Sequence, residues 1–449
     1  MNSENLAKSL IRELLDNGYE AYLVGGCVRD KLLGKKPNDW DICSSAYPEE
    51  ILEIFEKNYT VFKKGKKHGT IGVKKGEEIF EITTYRIDKE YIDNRRPESV
   101  EFTKNIEEDL KRRDFTINAM AMDIEDKIID LFRGREDLKK GLIRTVGSAD
   151  KRFEEDALRI IRAVRFATQL KFKITETTYN SIKRNKNNLK NISADRIREE
   201  FNKILLSDKP SYGIKLLLNT GLIEYIIPEI KDGINFDQKS PFHDKDVFEH
   251  TMDVLDNTPS DLNTRLSALF HDIAKPKTFS IDDKGIGHFY GHNSVGRDMT
   301  KMIMRRLNYS KKSIEEVSNL VNYHMAVHDM QTPKSVKRLS RKIGNDTIER
   351  LIKLYEADKS STLDRDNKIP GERFKEIFKQ IKNYKEPLNR KDLAINGNDL
   401  IDLGIEKGPK LSIILEGLVE YVLEFPEHNN REDLIKEAKS ISLYLKSKK

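Results

Sequence analysis

The chain lacks the features that mark secreted and membrane proteins. Its 449 residues include only two cysteines, Cys27 and Cys43, which cannot form a disulfide framework, so we expect a reducing, cytoplasmic compartment. No run approaches the ~18 apolar residues of a transmembrane helix, and we expect no membrane association. The first residues have no basic segment followed by an apolar one, and their apolar spacing predicts an amphipathic helix rather than a signal peptide.

An excess of charge of one sign is also missing. Lys and Arg number 81 against 75 Asp and Glu, which leaves a formal net charge of +6 at pH 7. This small excess excludes a uniformly basic coat protein. It does not exclude a nucleic-acid partner, because local patches of charge matter more than their sum. With 37% apolar residues, the chain can fill several cores, and its length predicts about two to four domains.

No internal repeat and no low-complexity linker divides the chain. Short β-branched runs, turns and helical pieces alternate over residues 1–146, which predicts an α/β domain. From about residue 153 onward the pattern is almost wholly helical, and it predicts one continuous helix over 153–170. Segments 230–241 and 363–371 indicate seams. We therefore expect a head, a helical middle and a helical tail.

The segment AYLVGGCVRDKLLGKKPNDWDICSS, residues 21–45, carries the most informative chemical pattern. A short strand precedes Gly25 and Gly26, which allow a tight turn and a close approach of backbone N–H groups to an anion. The next residues predict a helix whose positive end points at such an anion. Arg29, in the first turn of that helix, can pair with the same phosphate.

Two carboxylates follow this turn in the sequence Asp39-Trp40-Asp41. On a strand, Asp39 and Asp41 share one face and Trp40 points to the other. Carboxylates held so close repel each other unless a cation lies between them, and Mg²⁺ prefers such hard oxygen ligands. Alone, the pattern also fits a solvated turn with two incidental acids. Its position after a strand, a Gly-Gly turn and a helix with Arg29 favours a magnesium site.

The stretch LVGGCVRDKLLGKKPNDWDI resembles the nucleotidyltransferase signature of the DNA polymerase beta superfamily. More narrowly, it resembles the bacterial class II CCA-adding tRNA nucleotidyltransferases and their poly(A) polymerase relatives. Stretches at 81–102, 107–123 and 151–174 agree with that family in order and spacing. The resemblance implies an enzyme that adds C, C and A to the 3′ end of tRNA lacking CCA. Its substrates would be CTP and ATP, and its product pyrophosphate, without a nucleic-acid template.

The implied fold is an α/β head with a mixed sheet and helices, followed by an all-α neck, an HD domain and a tail. We expect the head at 1–146, a neck with the nucleotide-selecting helix at 147–235, an HD domain at 236–362 and a tRNA-binding tail at 363–449. The resemblance also implies that Asp39 and Asp41 bind the catalytic Mg²⁺. Glu81 is either a third carboxylate or an ordinary surface residue. The implied nucleotide-binding residues are Gly26, Arg29, Arg113, Asp156, Arg159, Arg162 and Arg165.

Asp156 and Arg159 predict base selection. Three residues apart on a helix, they lie on one face, where Asp accepts and Arg donates hydrogen bonds. Cytosine and adenine each offer an amino donor beside a ring-nitrogen acceptor, whereas uracil and guanine present the reverse, at about 1–3 kcal/mol per unsatisfied group. An ordinary i, i+3 salt bridge is the alternative. Arg165 lies roughly half a turn from Asp156 and is also a candidate for tying the neck helix to the head.

Two charged segments leave alternatives open. Asp109, Arg112, Asp114 and Asn118 fit either a hinge between the metal site and the nucleotide pocket or a charged turn in which Arg113 is structural. The segment 86–97 has the full length of enzymes that add the terminal A, since CC-only enzymes of this kind have a shortened loop. That length does not separate a complete CCA-adding enzyme from an A-adding enzyme or a poly(A) polymerase.

Residues 241–360 resemble an HD-type phosphohydrolase domain. His250, the pair His271-Asp272 and Asp358 match its ligand pattern, and His292 and His324 are placed like the added ligands of two-metal members. Imidazole and carboxylate suit Ni, Mn, Co or Fe as a second divalent metal. Relatives act as phosphatases or 2′,3′-cyclic phosphodiesterases, or keep the fold with reduced chemistry. If the head were inactive, this domain or an RNA-binding module would supply the main function. His243, His288 and His328 have no assigned role.

The tail predicts contacts with the tRNA elbow through shape and phosphates. Lys334, Lys337, Arg338 and Arg341 form a basic helix face there, which fits either tRNA contact or a solvated surface. We expect a monomer or a homodimer.

Overall fold

The structure is a computed structural model that describes residues 2–88, 91–92, 96–97, 100–240, 244–363, 369–383 and 389–447. The chain forms two compact units, Met1–Pro228 and Glu229–Lys449. Both cysteines are buried and unpaired. Within the described ranges, every helix is too short or too polar to cross a bilayer.

The first unit combines strands with helices. Its strands are β1 (Ala21–Val24), β2 (Ile42–Ser44), β3 (Thr60–Phe62), β4 (Thr70–Lys75), β5 (Glu78–Thr84), β6 (Arg86–Asp88), β7 (Tyr91–Ile92), β8 (Arg96–Pro97), β9 (Val100–Phe102), β10 (Met120–Met122), β11 (Ile128–Asp130), β12 (Leu142–Ile143) and β13 (Lys173–Ile174). Its helices are α1 (Ser3–Asp16), α2 (Gly26–Leu32), α3 (Pro48–Phe55), α4 (Ile106–Lys111), α5 (Gly134–Lys140), α6 (Ala149–Glu155), α7 (Leu158–Leu170), α8 (Glu176–Asn185), α9 (Ala194–Leu205) and α10 (Pro210–Thr220).

A seven-stranded sheet of order β11-β10-β1-β2-β5-β4-β3 forms the centre of this unit. β2 and β5 run parallel and the other neighbours run antiparallel, so the predicted α/β head with a mixed sheet is confirmed. Leu23, Ile42, Ile82 and Ile71 pair in register across four strands, and all are fully buried. This apolar row holds β2 against β5 and thereby sets the position of the residues that precede Ile42.

The prediction of one continuous helix over 153–170 is wrong. α6 ends at Glu155 and α7 begins at Leu158, while Asp156 between them has an extended backbone with φ −139° and ψ 104°. The Asp156 side chain accepts a hydrogen bond of 3.1 Å from the Leu158 backbone N–H. Aspartate competes in this way with the helical backbone pattern, and here the competition breaks the helix.

The second unit is helical, as predicted, apart from one hairpin. Its helices are α11 (Val247–Asn257), α12 (Leu262–Phe270), α13 (His292–Arg306), α14 (Lys311–Tyr323), α15 (Ala326–Asp329), α16 (Pro333–Ile343), α17 (Asn345–Ser360), α18 (Ile369–Asn383), α19 (Gly397–Asp402), α20 (Pro409–Glu424) and α21 (Arg431–Ser447). The hairpin pairs β14 (Ser280–Ile281) with β15 (Gly287–His288) in an antiparallel arrangement. α11, α12, α14 and α17 pack together, and a separate apolar core joins α19, α20 and α21.

The basic face of α16 packs against α20. Lys334, Arg338 and Arg341 form ion pairs with glutamates of α20, which are Glu424, Glu420 and Glu416. The Lys337 ammonium donates a hydrogen bond of 3.2 Å to the Leu423 carbonyl. These cations therefore connect two helices of the second unit, which neither sequence alternative anticipated.

Candidate functional site

A cavity of about 710 Å³ in the first unit brings the predicted head residues together. It is lined by all nine of them, namely Gly26, Arg29, Asp39, Asp41, Arg113, Asp156, Arg159, Arg162 and Arg165. It is also lined by four polar residues that the sequence did not predict, Asn38, Gln169, Arg196 and Lys203, and by the apolar Leu158 and Phe166. Arg196 and Lys203 lie seven residues apart on one face of α9, and this spacing was the available signal.

The Gly-Gly turn packs closely against the side chain of Arg113. Gly25 adopts φ +81°, and a Cβ atom there would lie 2.9 Å from Nη1 of Arg113, so the turn requires Gly25 rather than Gly26. Gly26 is the first residue of α2, and Arg29 follows on the same helix. Nη1 of Arg29 donates to Oδ1 of Asn118 at 2.6 Å, which holds this guanidinium at the cavity wall.

The carboxylates Asp39 and Asp41 precede β2 instead of lying on it, because the strand begins at Ile42. The predicted alternation nevertheless holds, since Trp40 is buried while Asp39 is exposed. Glu81 lies beside Asp41, because β2 and β5 are parallel with Ile42 opposite Ile82. Burial, Asp39 and Glu81 raise the pKa of Asp41 to about 6, although Arg113 opposes the shift. Carboxylates that disfavour each other's charge in this way fit a divalent cation with hard oxygen ligands.

The arginines of the cavity are fixed by two buried acids, Asp109 on α4 and Asp114 in the segment after it. Asp109 is fully buried and pairs with Arg112 at 2.7 Å and Arg113 at 3.2 Å. Burial would raise the pKa of Asp109, but these two guanidinium groups hold it below its ordinary value. The pKa of Asp114 falls to about 2, because Arg162 outweighs the opposing effect of burial. These acids and arginines therefore compensate each other's charge, and Arg113 has both a structural partner in Asp109 and a place in the cavity lining.

Asp156 and Arg159 both line the cavity, and the Arg159 backbone N–H donates to the Asp156 carbonyl at 3.0 Å, but Asp156 lies outside the helix that carries Arg159. Oδ2 of Asp156 accepts from Nη2 of Arg196 at 3.0 Å. Arg159 is buried, and its guanidinium donates to Oε2 of Glu155 at 2.6 Å and to the Arg112 carbonyl at 3.1 Å. The predicted placement of both residues on one continuous helix is wrong, and each side chain has a protein partner within reach of the cavity.

Arg162 and Arg165 point to different neighbours. Nε of Arg162 donates to Oδ2 of Asp114 at 2.8 Å, so Arg162 joins α7 to the segment after α4. Nε of Arg165 lies 3.1 Å from Oε2 of Glu200, so Arg165 joins α7 to α9 instead of tying it to the head. Burial and the nearby Arg162 lower the pKa of Arg165 to about 10.

A second cluster occupies the interior of the helical unit. His250 lies on α11, His271 and Asp272 directly follow α12, and Asp358 lies on α17. Nε2 of His250 is 3.0 Å from Oδ1 of Asp358, and Nε2 of His271 is 3.2 Å from Oδ2 of Asp272. Burial would raise the pKa of Asp272, but the nearby His271, Lys275 and His292 hold that pKa well below its ordinary value.

His292 and His324 complete this cluster around Asp272. Their Nε2 atoms lie 3.8 and 3.9 Å from Oδ1 of Asp272. Two groups of three possible ligands, His250–His271–Asp272 and Asp272–His292–His324, therefore share one carboxylate. The structure thus brings together all six residues that the sequence predicted for this site.

Backbone carbonyls orient three of the four histidines. Nδ1 of His271, His292 and His324 lies 2.7–2.8 Å from the carbonyl oxygen three residues earlier. Because a carbonyl only accepts, each Nδ1 donates, and the lone pair of each neutral ring is on Nε2. Nε2 of His292 and Nε2 of His324 lie only 3.1 Å apart. Two lone pairs at that separation repel unless a cation lies between them, so these residues fit a metal.

Two of the histidines without an assigned role lie outside the cluster. His288 pairs with Asp282 at 2.9 Å, and His328 is exposed and lies 3.0 Å from Asp329. His243 lies outside the described residues.

Three family models match successive parts of the chain. They are described as the Poly A polymerase head domain over 21–144, the probable RNA and SrmB-binding site of polymerase A over 171–234, and the HD domain over 247–363. With the mixed sheet and the cavity, these matches define a nucleotidyltransferase joined to an HD domain.

The chain is 35% identical to the CCA-adding enzyme of Ligilactobacillus salivarius, over 97% of this chain and 96% of that enzyme. It is similar to the crystal structure of the Bacillus stearothermophilus CCA-adding enzyme in complex with CTP, with a TM-score of 0.76, 28% identity and 100% of both chains covered. It is also similar to the Thermotoga maritima CCA-adding enzyme complexed with tRNA_CCA, with a TM-score of 0.60, 25% identity and 98% and 96% coverage. The chain belongs to the CCA-adding enzyme family, which confirms the predicted family and the predicted nucleotidyltransferase activity.

Proposed function

We propose that the head cavity adds C, C and A, from CTP and ATP, to the 3′ end of tRNA lacking CCA, in tRNA maturation and repair. One observation carries this proposal. One cavity is lined both by Asp39 and Asp41 and by Asp156, Arg159 and further arginines. Paired carboxylates suit metal-assisted phosphoryl chemistry, and guanidinium groups suit a triphosphate.

In the reaction, the tRNA 3′-oxygen forms a bond to the α-phosphorus while the bond to pyrophosphate breaks and the hydroxyl proton leaves to solvent. Asp39 and Asp41, with Glu81 beside them, are the residues that would hold Mg²⁺. When bound, the metal would lower the cost of the charge that develops on the entering and leaving oxygens. Arg29, Arg113 and the cavity arginines other than Arg159 bind and orient the triphosphate.

Asp156 and Arg159 supply the base selection. The carboxylate accepts from the amino group that cytosine and adenine share, and the guanidinium donates to the adjacent ring nitrogen. Arg196 and Glu155 occupy these two side chains in the structure, at 3.0 and 2.6 Å. A base of the right pattern would satisfy both the carboxylate of Asp156 and the guanidinium of Arg159, whereas uracil and guanine would not.

A second function, metal-dependent hydrolysis of phosphoesters, is favoured by the histidine cluster. The HD domain implies use of a divalent metal. Within it, the Nε2 atoms of His292 and His324 face each other at 3.1 Å, which fits Ni, Mn, Co or Fe better than Mg²⁺. Asp272 belongs to both groups of possible ligands, and divalent ions held there would supply an activated water.

We further propose domain limits at 1–146, 147–235, 236–362 and 363–449, a tRNA-binding tail, a cytoplasmic location and a monomer or homodimer. An A-adding enzyme or a poly(A) polymerase is the alternative for the head.

The test is extension of tRNAs whose 3′ ends lack CCA, CA or A, with each nucleoside triphosphate supplied alone. We expect CTP to be used on the first two ends and ATP on the third. If CTP is never incorporated, the CCA proposal fails and an A-adding activity remains.

A further inference from the structure

An aromatic wall borders the histidine cluster in the second unit. The cavity that contains Asp272, His292 and His324 has a volume of about 730 Å³. Its lining also includes Ile286, Phe289, Tyr290, Met325 and Tyr355. A phosphate group needs charged and polar partners, not apolar ones. The cavity is therefore built for a ligand that carries a large apolar or aromatic group beside its phosphoester.

Tyr290 is the most exposed part of this wall. Its side chain is 77% exposed, and its ring is stacked on that of His288, with 5.3 Å between centroids and 8° between planes. The His288 ring is held in turn, because its Nε2 lies 2.9 Å from Oδ2 of Asp282. Oδ1 of Asp282 accepts from the backbone N–H groups of Lys284 and Ile286, both at 2.9 Å.

The hairpin that carries this stack is anchored on a neighbouring segment. The Gly287 N–H donates to the Lys239 carbonyl at 2.9 Å, and a Cβ atom at Gly287 would lie 2.1 Å from the Gln238 carbonyl oxygen. On the other side, Tyr290 precedes His292 by two residues, and the His292 ring is fixed by the Phe289 carbonyl. An exposed ring is thus held at a set position beside the cluster.

We propose that Tyr290, backed by His288, is a stacking platform that makes the cluster select phosphoesters bearing a nucleobase, such as a nucleotide or an RNA end. This inference rests on the metal-binding function proposed above. Every base has a flat π face, so one aromatic ring accepts any of them. Tyr290 determines specificity by binding the base, while the histidines and Asp272 act on the phosphoester.

The experiment measures binding by calorimetry to the full chain with Mn²⁺, using adenosine 3′-monophosphate, phenyl phosphate and inorganic phosphate. Signal that persists in His271→Ala is assigned to the head and subtracted. We expect the nucleotide to bind the HD cavity roughly 10-fold more tightly than inorganic phosphate. Tyr290→Ala should abolish this preference and leave inorganic phosphate binding unchanged, and Tyr290→Phe should preserve it.

Tyr444→Ala is the matched control, because Tyr444 is 58% exposed on α21 and does not line the cavity. If Tyr290→Ala still binds Mn²⁺ and still prefers the nucleotide over inorganic phosphate, the stacking platform is refuted while the metal centre stands. An equal gain for phenyl phosphate overturns the nucleobase assignment. If His271→Ala binds as much Mn²⁺ as the unaltered chain, the metal centre itself is refuted, and the platform with it.

Discussion

The two sites of this chain hold their charged groups in different ways. In the head cavity, side chains hold side chains, as in the pairs Arg162–Asp114 and Arg196–Asp156. In the histidine cluster, backbone carbonyls orient His271, His292 and His324. Side-chain pairs can exchange partners when a ligand arrives, whereas carbonyls next to helix ends keep a ring in place. The head is therefore suited to accept successive bases, and the cluster to keep one metal geometry.

The largest expected effect is the loss of nucleotide addition when the two head carboxylates are removed. Asp39→Ala with Asp41→Ala should reduce nucleotide addition at least ~10³-fold, because metal stabilisation of the reacting oxygens is worth several kcal/mol. The tRNA extension assay measures this loss. Asp208→Ala, at a side chain that is 81% exposed, should have no effect. Extension by the double variant at the normal rate would refute the metal site.

A substitution in the histidine cluster should do the reverse, because it should weaken metal binding and spare nucleotide addition. His271→Ala should weaken divalent-metal binding in the second unit more than ~100-fold, beyond the loss from an outer hydrogen-bond partner. Nucleotide addition should be unchanged. Metal content after dialysis checks the first result, and tRNA extension the second. His428→Ala, at a 41% exposed side chain, is the control. A fall in nucleotide addition would show that the sites are not independent.

The third prediction tests whether Asp156 can exchange its partner Arg196 for an incoming base. Asp156→Ala should reduce the preference for CTP and ATP over UTP and GTP by about 10–100-fold, since one unsatisfied group costs about 1–3 kcal/mol. Competition assays with mixed triphosphates measure this preference. Asp195→Ala changes an acid on the first turn of α9 and should leave selection intact. If Asp156→Ala kept the same preference among the four triphosphates, the role of Asp156 in base selection would be excluded.

The smallest effect concerns the stability of the head and its pH dependence. The folded-state pKa of Asp114 is about 2 against an ordinary 3.8, so its ionisation contributes ~2 kcal/mol above pH 4. This stabilisation is lost as the pH falls from about 4 to about 2. Asp114→Asn should unfold more easily at pH 7, and the gap should close in acid.

Urea unfolding followed by Trp40 fluorescence reports the head selectively, because Trp40 is the only tryptophan and is buried there. Asp150→Asn removes a surface pair with Arg184 and should cost less than ~1 kcal/mol. An equal cost for the two variants would contradict the role of buried pairs in holding the cavity.

Local patterns determined much of this protein from sequence alone. The turn at Gly25, the acids around Trp40, the α/β head and the helical second unit followed from local patterns, whereas the mixed sheet and the six residues of the cluster were implied by the resemblance to a family. The reason is that turns, strand alternation and helix ends depend on residues close in the chain.

Tertiary structure decided the rest. The Asp156 side chain breaks a helix that apolar periodicity predicts, and Arg196, forty positions later, becomes its partner. The basic face of α16 is compensated by glutamates of α20 far along the chain. An ion pair between distant segments has no period and no fixed spacing, because its geometry depends on how whole helices pack. The sequence alone therefore predicted candidate residues for the two sites, and packing decided which of them meet.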